Sequence, residues 1–111
     1  MPADTNPYGD IFGGWLLSQM DSAAGTVAAL YSRGRAVTIA VDGMTFHRPV
    51  KVGDVVSVYA DVIATGRTSM KIDVSAWAHK RASEETYRVT HAVFTFVAID
   101  DEGKSRPLDA A

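Results

Sequence analysis

The chain has 111 residues, 47% of them hydrophobic and 22% charged, and its 11 basic and 13 acidic residues give a formal net charge of -2. That length fits one domain, residues 1–111, with no room for a separate cofactor domain, and the near-neutral charge excludes the basic footprint of a nucleic-acid binder. The lack of cysteine excludes disulfides, thiolate metal sites and a cysteine nucleophile, and fits a reducing compartment.

Residues 1–11 read as a loop. Pro2, Pro7 and Gly9 discourage regular structure, and Asp4, Thr5 and Asn6 favour turns through side-chain to backbone bonds. The polar start lacks the charged and apolar regions of a secretory leader, so a cytoplasmic setting is expected. Residues 14–31 follow as a helix, with Leu16, Leu17, Met20, Ala23, Ala24, Val27, Ala28 and Tyr31 at three- and four-residue spacing. Small residues cover much of the remaining surface, which predicts a helix buried over most of its circumference. Ser18, Gln19, Asp21 and Ser22 make it a poor membrane span. Ser32, Arg33 and Gly34 end it.

The remainder predicts strands over 37–46, 55–64, 70–78 and 86–99. Val56, Val58, Ala60 and Val62 alternate with Ser57, Tyr59 and Asp61. Met70, Ile72, Val74 and Ala76 alternate with Lys71, Asp73, Ser75 and Trp77. Ala92, Phe94, Phe96 and Ala98 share a face in the last strand. One buried helix followed by long antiparallel strands gives an α+β class. A single helix cannot cover both faces of such a sheet, but it can lie in the concave face of a curved one.

Four features bear on chemistry. Asp21 sits on an apolar helix with Leu17, Ser18, Ala24 and Gly25 one turn away, so no helical ion pair is available to it. Either it lies on a thin exposed stripe with Ser18 and Ser22, or it faces a cleft as a base or nucleophile. Gly13 and Gly14 at the helix start permit close backbone approach and free N–H groups, or serve only packing. Asn6 is a structural turn former or a ligand for a carbonyl or a water. Arg67, Thr68, Ser69 and Lys71, and His79, Lys80 and Arg81, place positive charge at the two ends of one strand; they read as a solvated edge or as phosphate contacts. His47, His79 and His91 have no metal-ligand spacing and read as structural. No Gly-x-Ser-x-Gly elbow or phosphate loop occurs.

Asp4-Thr5-Asn6-Pro7-Tyr8-Gly9-Asp10-Ile11-Phe12-Gly13-Gly14-Trp15, followed by Ser18-Gln19-Met20-Asp21, resembles the signature of YciA-type acyl-CoA thioesterases. Val41 to Val50, Val52-Gly53-Asp54, Gly66-Arg67-Thr68-Ser69, Trp77 and Phe94-Thr95-Phe96-Val97-Ala98 extend the likeness over nearly the whole chain. The resemblance implies a hotdog fold, a curved antiparallel sheet wrapped around one long helix. It implies pairing into dimers, with trimers of dimers as six-chain assemblies, and hydrolysis of acyl-CoA to a free acid and coenzyme A without metal or organic cofactor. It assigns catalysis to Asp21, support of the same site to Asn6, and polarisation of the thioester carbonyl to the backbone of Gly13 and Gly14, in a site formed between two subunits. Coenzyme A contacts are expected at Arg67, Thr68 and Ser69. Family members carry a short strand before the Asp-Thr-Asn segment, and that strand is expected to be absent here.

Two rivals share that fold. A hydroxyacyl-thioester dehydratase needs a histidine in the site, and none precedes His47. A non-catalytic acyl-CoA-binding module would not need Asp21. A purely structural oligomerisation domain explains neither Asp21 nor the glycine pair. Trp15, Leu16 and Met44 are candidates for the acyl wall, with core packing as the stronger reading.

Overall fold

The computed structural model describes residues 13–46, 48, 50–51, 53–80 and 83–108. Helix α1 spans Gly13–Ser32, and the strands are β1 Ala36–Phe46, β2 Val55–Thr65, β3 Ser69–His79 and β4 Thr86–Ala98. Each lies within two residues of the span its periodicity predicts. The strands form one antiparallel sheet in the order β1-β4-β3-β2. β2, β3 and β4 are a meander joined by short turns, and the connection after β1 carries the chain across to the far edge. One helix laid along one face of this sheet is the α+β hotdog arrangement expected.

The core lies between that face and one row of the helix. Leu16, Met20, Ala24 and Ala28 recur every fourth residue, so they share one side of α1, and all four are buried. Met70, Ile72, Val74, Ala76 and Ala78 of β3, with Ala92, Phe94, Phe96 and Ala98 of β4, meet them from the sheet. The helix meets the sheet at Gly25, where a Cβ would make ordinary van der Waals contact with the Phe96 ring at 3.7 Å. The prediction of burial around most of the helix is corrected: Leu17, Leu30 and Tyr31 are exposed. One sheet can cover only one side of a cylinder, and the opposite side keeps its apolar residues in the open. Among the described residues, no helix is long and apolar enough to cross a membrane.

The helix ends as the sequence suggests, with one change of role. Arg33, not Gly34, takes the left-handed conformation, at φ 57°, and Gly34 N–H donates to the Ala29 carbonyl at 3.1 Å. Gly34 is glycine for space, because a Cβ would lie 2.5 Å from Arg106 Nη2. That guanidinium donates to the carbonyls of Ile99 at 2.8 Å and Ser32 at 3.0 Å. It thereby satisfies an end carbonyl of α1 and ties the helix to the exit of β4.

Candidate active site

Asp21 lies in a cleft of about 300 Å3 between α1 and the β1–β4 side of the sheet, lined by Gly14, Leu17, Ser18, Asp21, Val41 and Phe94. Four of these come from one helix face, because positions 14, 17, 18 and 21 are separated by three, four and seven residues. The Asp21 carboxylate is half-buried, and Thr38 on β1 donates its hydroxyl hydrogen to Oδ1 at 2.6 Å. Oδ2 takes no hydrogen bond from any described residue. Asp21 is thus on neither a plain solvated stripe nor a sealed core position. It stands at the wall of a cleft with one oxygen fixed.

A backbone irregularity brings Thr38 there. Thr38 pairs with Phe96 and Ala40 with Thr95, which leaves Ile39 as an extra residue in β1. Such a bulge reverses the alternation of side chains along the strand. Thr38 and Val41, three residues apart, therefore both point towards the helix. A second irregularity between Asp42 and Thr45 contains Gly43 at φ 73°, a conformation that favours glycine.

The start of α1 opens on the same cleft. The first N–H groups of a helix lack intrahelical partners and carry the positive end of its dipole. A Cβ on Gly14 would meet no described atom within 4 Å, so packing against the described residues does not explain that glycine. Asp21 and Gly14 line one cleft, and Gly13 is the first residue of the helix. Asn6 and His47 lie outside the described residues.

Arg67, Thr68 and Ser69 are placed elsewhere. They form the β2–β3 turn, where Gly66 N–H donates to the Ser69 carbonyl and the Thr68 carbonyl accepts from Ala98 N–H, both at 2.9 Å. Ser69 pairs with Val97, three residues along β4 from Phe94, or about 10 Å at strand rise. Its side chain belongs to the sheet face opposite the helix. These residues do not line the Asp21 cleft of the same chain. At the other end of β3, Lys80 is ion-paired with Glu85 at 3.2 Å, while Arg81 is outside the described residues.

The two described histidines are also remote. His91 lies on the sheet face away from the helix and is hydrogen-bonded to Asp73 of the neighbouring strand. His79 Nδ1 meets Thr86 Oγ1 at 2.9 Å near the end of β3. Neither lines the Asp21 cleft. Of the wall candidates, Leu16 is buried in the core, and Trp15 and Met44 pack against it. The sequence reading missed Thr38, Val41 and Phe94 as neighbours of Asp21. Helical spacing alone places Leu17 one turn from Asp21, whereas the Thr38 contact depends on a bulge that no simple alternation reveals.

Known proteins share the sequence and the fold. The thioesterase superfamily profile matches residues 8–85. The acyl-CoA thioester hydrolase YciA of Salmonella typhimurium is 53% identical over 111 residues, covering 97% of this chain and 84% of the relative. The crystal structure of a hexameric thioesterase from Yersinia pestis superposes with a TM-score of 0.91 at 55% identity, covering 100% of this chain and 90% of that one. An acyl-CoA hydrolase from Staphylococcus aureus, solved with butyryl coenzyme A, coenzyme A and coenzyme A disulfide, gives a TM-score of 0.88 at 32% identity over 96% of this chain and 65% of that one. On sequence, fold and the matched extent together, the chain belongs to the YciA acyl-CoA thioester hydrolases of the thioesterase superfamily.

Proposed function

We propose that the chain hydrolyses acyl-coenzyme A to a free carboxylic acid and coenzyme A, with Asp21 as general base or nucleophile. The observation that carries the reading is the Asp21 carboxylate, held at Oδ1 by Thr38 in a cleft shared with the helix start at Gly14. The thioester oxygen points to the backbone N–H groups of Gly13 and Gly14, which stabilise the developing oxyanion; one such donor is typically worth about 10²–10³ in rate. As a base, Asp21 takes a proton from water, the hydroxide adds to the carbonyl carbon, the C–S bond breaks, and the proton goes to the departing thiolate. As a nucleophile, it adds to the carbonyl carbon, the C–S bond breaks to release the coenzyme A thiolate, and water opens the resulting mixed anhydride to the free acid and the Asp21 carboxylate, its proton going to the thiolate. Thr38 fixes the carboxylate for either course. The reading calls on no metal or organic cofactor, so turnover survives chelators.

Asn6 belongs to the same proposal, as the group that orients the water or the carbonyl from a partner subunit. Arg67, Thr68 and Ser69 are retained as contacts for coenzyme A bound in a neighbouring subunit's cleft, in keeping with their distance from Asp21 of their own chain. Relatives from Yersinia pestis and Campylobacter jejuni are described as hexameric. A homo-oligomer built from dimers is supported here by the exposed apolar residues on β1 and the outer side of α1. The cysteine-free chain fits a cytoplasmic setting. A dehydratase is disfavoured by His79 and His91, which lie away from the cleft.

Asp21→Asn preserves shape and removes the charge. Release of coenzyme A thiol should fall about 10²–10⁴-fold with the melting temperature unchanged. Parental turnover in that variant would exclude Asp21 as catalyst, and thiol release at no detectable rate by the parent would leave a binding module.

A further inference from the structure

Of the described residues that line the cleft beside Asp21, only Asp21 and Ser18 carry side chains that form hydrogen bonds; Gly14, Leu17, Val41 and Phe94 do not. Oδ1 of Asp21 is occupied by the Thr38 hydroxyl, which leaves Oδ2. Ser18 is exposed, and its hydroxyl is bonded to no described residue. A serine or threonine within a helix often turns its hydroxyl back on the carbonyl four residues earlier. Thr26 of the same helix does so, donating to the Ser22 carbonyl at 3.0 Å. Ser18 makes no such bond to Gly14, so its hydroxyl is left for whatever enters the cleft.

Helical geometry sets the free hydroxyl beside the free carboxylate oxygen. Positions 14, 18 and 21 share one face of α1, with axial steps of about 6 Å and then about 4.5 Å. Side chains three residues apart have Cβ atoms about 5–6 Å from each other, a span that one water bridges. Side chains on a helix also lean towards its N-terminus. The Asp21 carboxylate therefore leans over Ser18, and both lean towards the N–H groups at the helix start. A water held in a protein cleft takes two or more polar partners. Leu17, Val41 and Phe94 offer it none, while Ser18 and Asp21 offer one each.

We infer that Ser18 is a second catalytic residue, which holds the attacking water jointly with Asp21. The water gives one hydrogen to Asp21 Oδ2 and the other to Ser18 Oγ, and a lone pair of its oxygen turns towards the thioester carbon. Asp21 takes the first proton, the hydroxide oxygen bonds to that carbon, the C–S bond breaks, and the proton passes from Asp21 to the thiolate. Ser18 gains and loses no proton. This inference rests on the hydrolase reading above and, within it, selects Asp21 as general base.

The experiment follows thiol release from butyryl-CoA, in the steady state and after rapid mixing, by the parent, Ser18→Ala and Asp21→Asn. Alanine suits a helix better than serine, so Ser18→Ala should fold. Its kcat should fall about five- to tenfold, the scale of one neutral hydrogen bond. KM and melting temperature should stay parental, and no burst of thiol should precede the steady state. A parental kcat overturns the inference, as does a kcat that falls together with the melting temperature. A burst of one thiol per site before slow release also overturns it, because the water would then open an acyl-enzyme and not the thioester. Asp21→Asn separates the two levels of the argument. Lost hydrolysis there, beside a parental kcat in Ser18→Ala, keeps the hydrolase reading and removes Ser18 from it. Parental hydrolysis in Asp21→Asn removes the reading itself.

Discussion

Beneath α1, Ile72 and Val74 of β3 and Ala92 and Phe94 of β4 are fully buried, while on β1 Val37, Ile39 and Phe46 stand 41%, 59% and 47% exposed. Both regions are rich in β-branched and aromatic residues, so composition does not separate them. Position does. β3 and β4 each have a strand on both sides and the helix above, whereas β1 is an edge with a single neighbour. Burying one large apolar side chain is worth about 1.5–3 kcal/mol, so the centre supplies stability from within one chain. The β1 flank leaves comparable surface uncovered, as do Leu30 and Tyr31 on the helix. Val41 and Leu17 of the Asp21 cleft belong to that same unfinished flank. A site on the flank that a second copy would cover is a site that a second copy can complete.

The largest effect that sharpens the contrast is a deletion at the centre. Met20→Ala removes a fully buried side chain and should cost about 2–5 kcal/mol, read by denaturant unfolding. On the flank, Ile39→Ser should cost a single chain little, because exposed positions usually stay within about 0.5 kcal/mol. It should instead lower the mass of the assembly in sedimentation and make specific activity fall on dilution. An Ile39→Ser protein with the parental mass at every concentration would break the comparison, since the flank would then not be where copies meet.

A smaller effect is expected inside the cleft. Thr38→Val keeps the shape and removes the donor to Asp21, and hydrogen bonds to charged groups contribute about 1.5–3 kcal/mol. kcat should fall about tenfold or somewhat more, with KM close to that of the parent. Thr38→Ser keeps the hydroxyl and should restore most of the rate. Equal kcat in the valine and serine variants would leave Thr38 a structural contact only.

The strands, the helix and the core face of β3 and β4 were legible because a period of two or of about 3.6 is written directly in the residues. The order of those strands was not, since alternation names a face and not a neighbour. The same limit hid the contact between His91 and Asp73, which are 18 residues apart and meet only through the β3–β4 register. β1 was legible as a strand but not as a surface. A strict alternation groups residues 37, 39 and 41, whereas the bulge at Ile39 turns Thr38 and Val41 to the same side. Asp21 was legible as an anomaly, an acid without a helical partner, and the glycines as a helix start with room above it. That Ser69 points to the other face of the sheet follows from register again, and Arg67 and Thr68 lie in the turn before it. Glycine at position 34 was read as a helix stop, and the guanidinium of Arg106 that requires it lies 72 residues away in sequence, out of reach of any local pattern.

The weakest expected effect tests the contrast from the end of the sheet away from Asp21. Tyr87 is buried, donates its hydroxyl to Asp54 Oδ2 at 3.2 Å, and carries the Arg48 guanidinium over its ring at 3.9 Å from the centroid. Burial, and then the negative charge of Asp54, raise its phenol above the usual value of about 10. A proton held more tightly in the folded chain than in the unfolded one stabilises the fold at all pH values below the unfolded value. That contribution is lost as pH rises from about 10 through the higher folded value. The parent should therefore lose melting temperature between pH 9 and 11 more steeply than Tyr87→Phe, in which no phenol titrates. The phenylalanine variant should be the less stable of the two at pH 8, where the Asp54 bond is intact in the parent. Parallel slopes for the two proteins would mean that Tyr87 titrates alike in the folded and unfolded chains. The bond to Asp54 would then be an exposed contact of little consequence, and the closed character assigned to the central strands would not reach the end of β4.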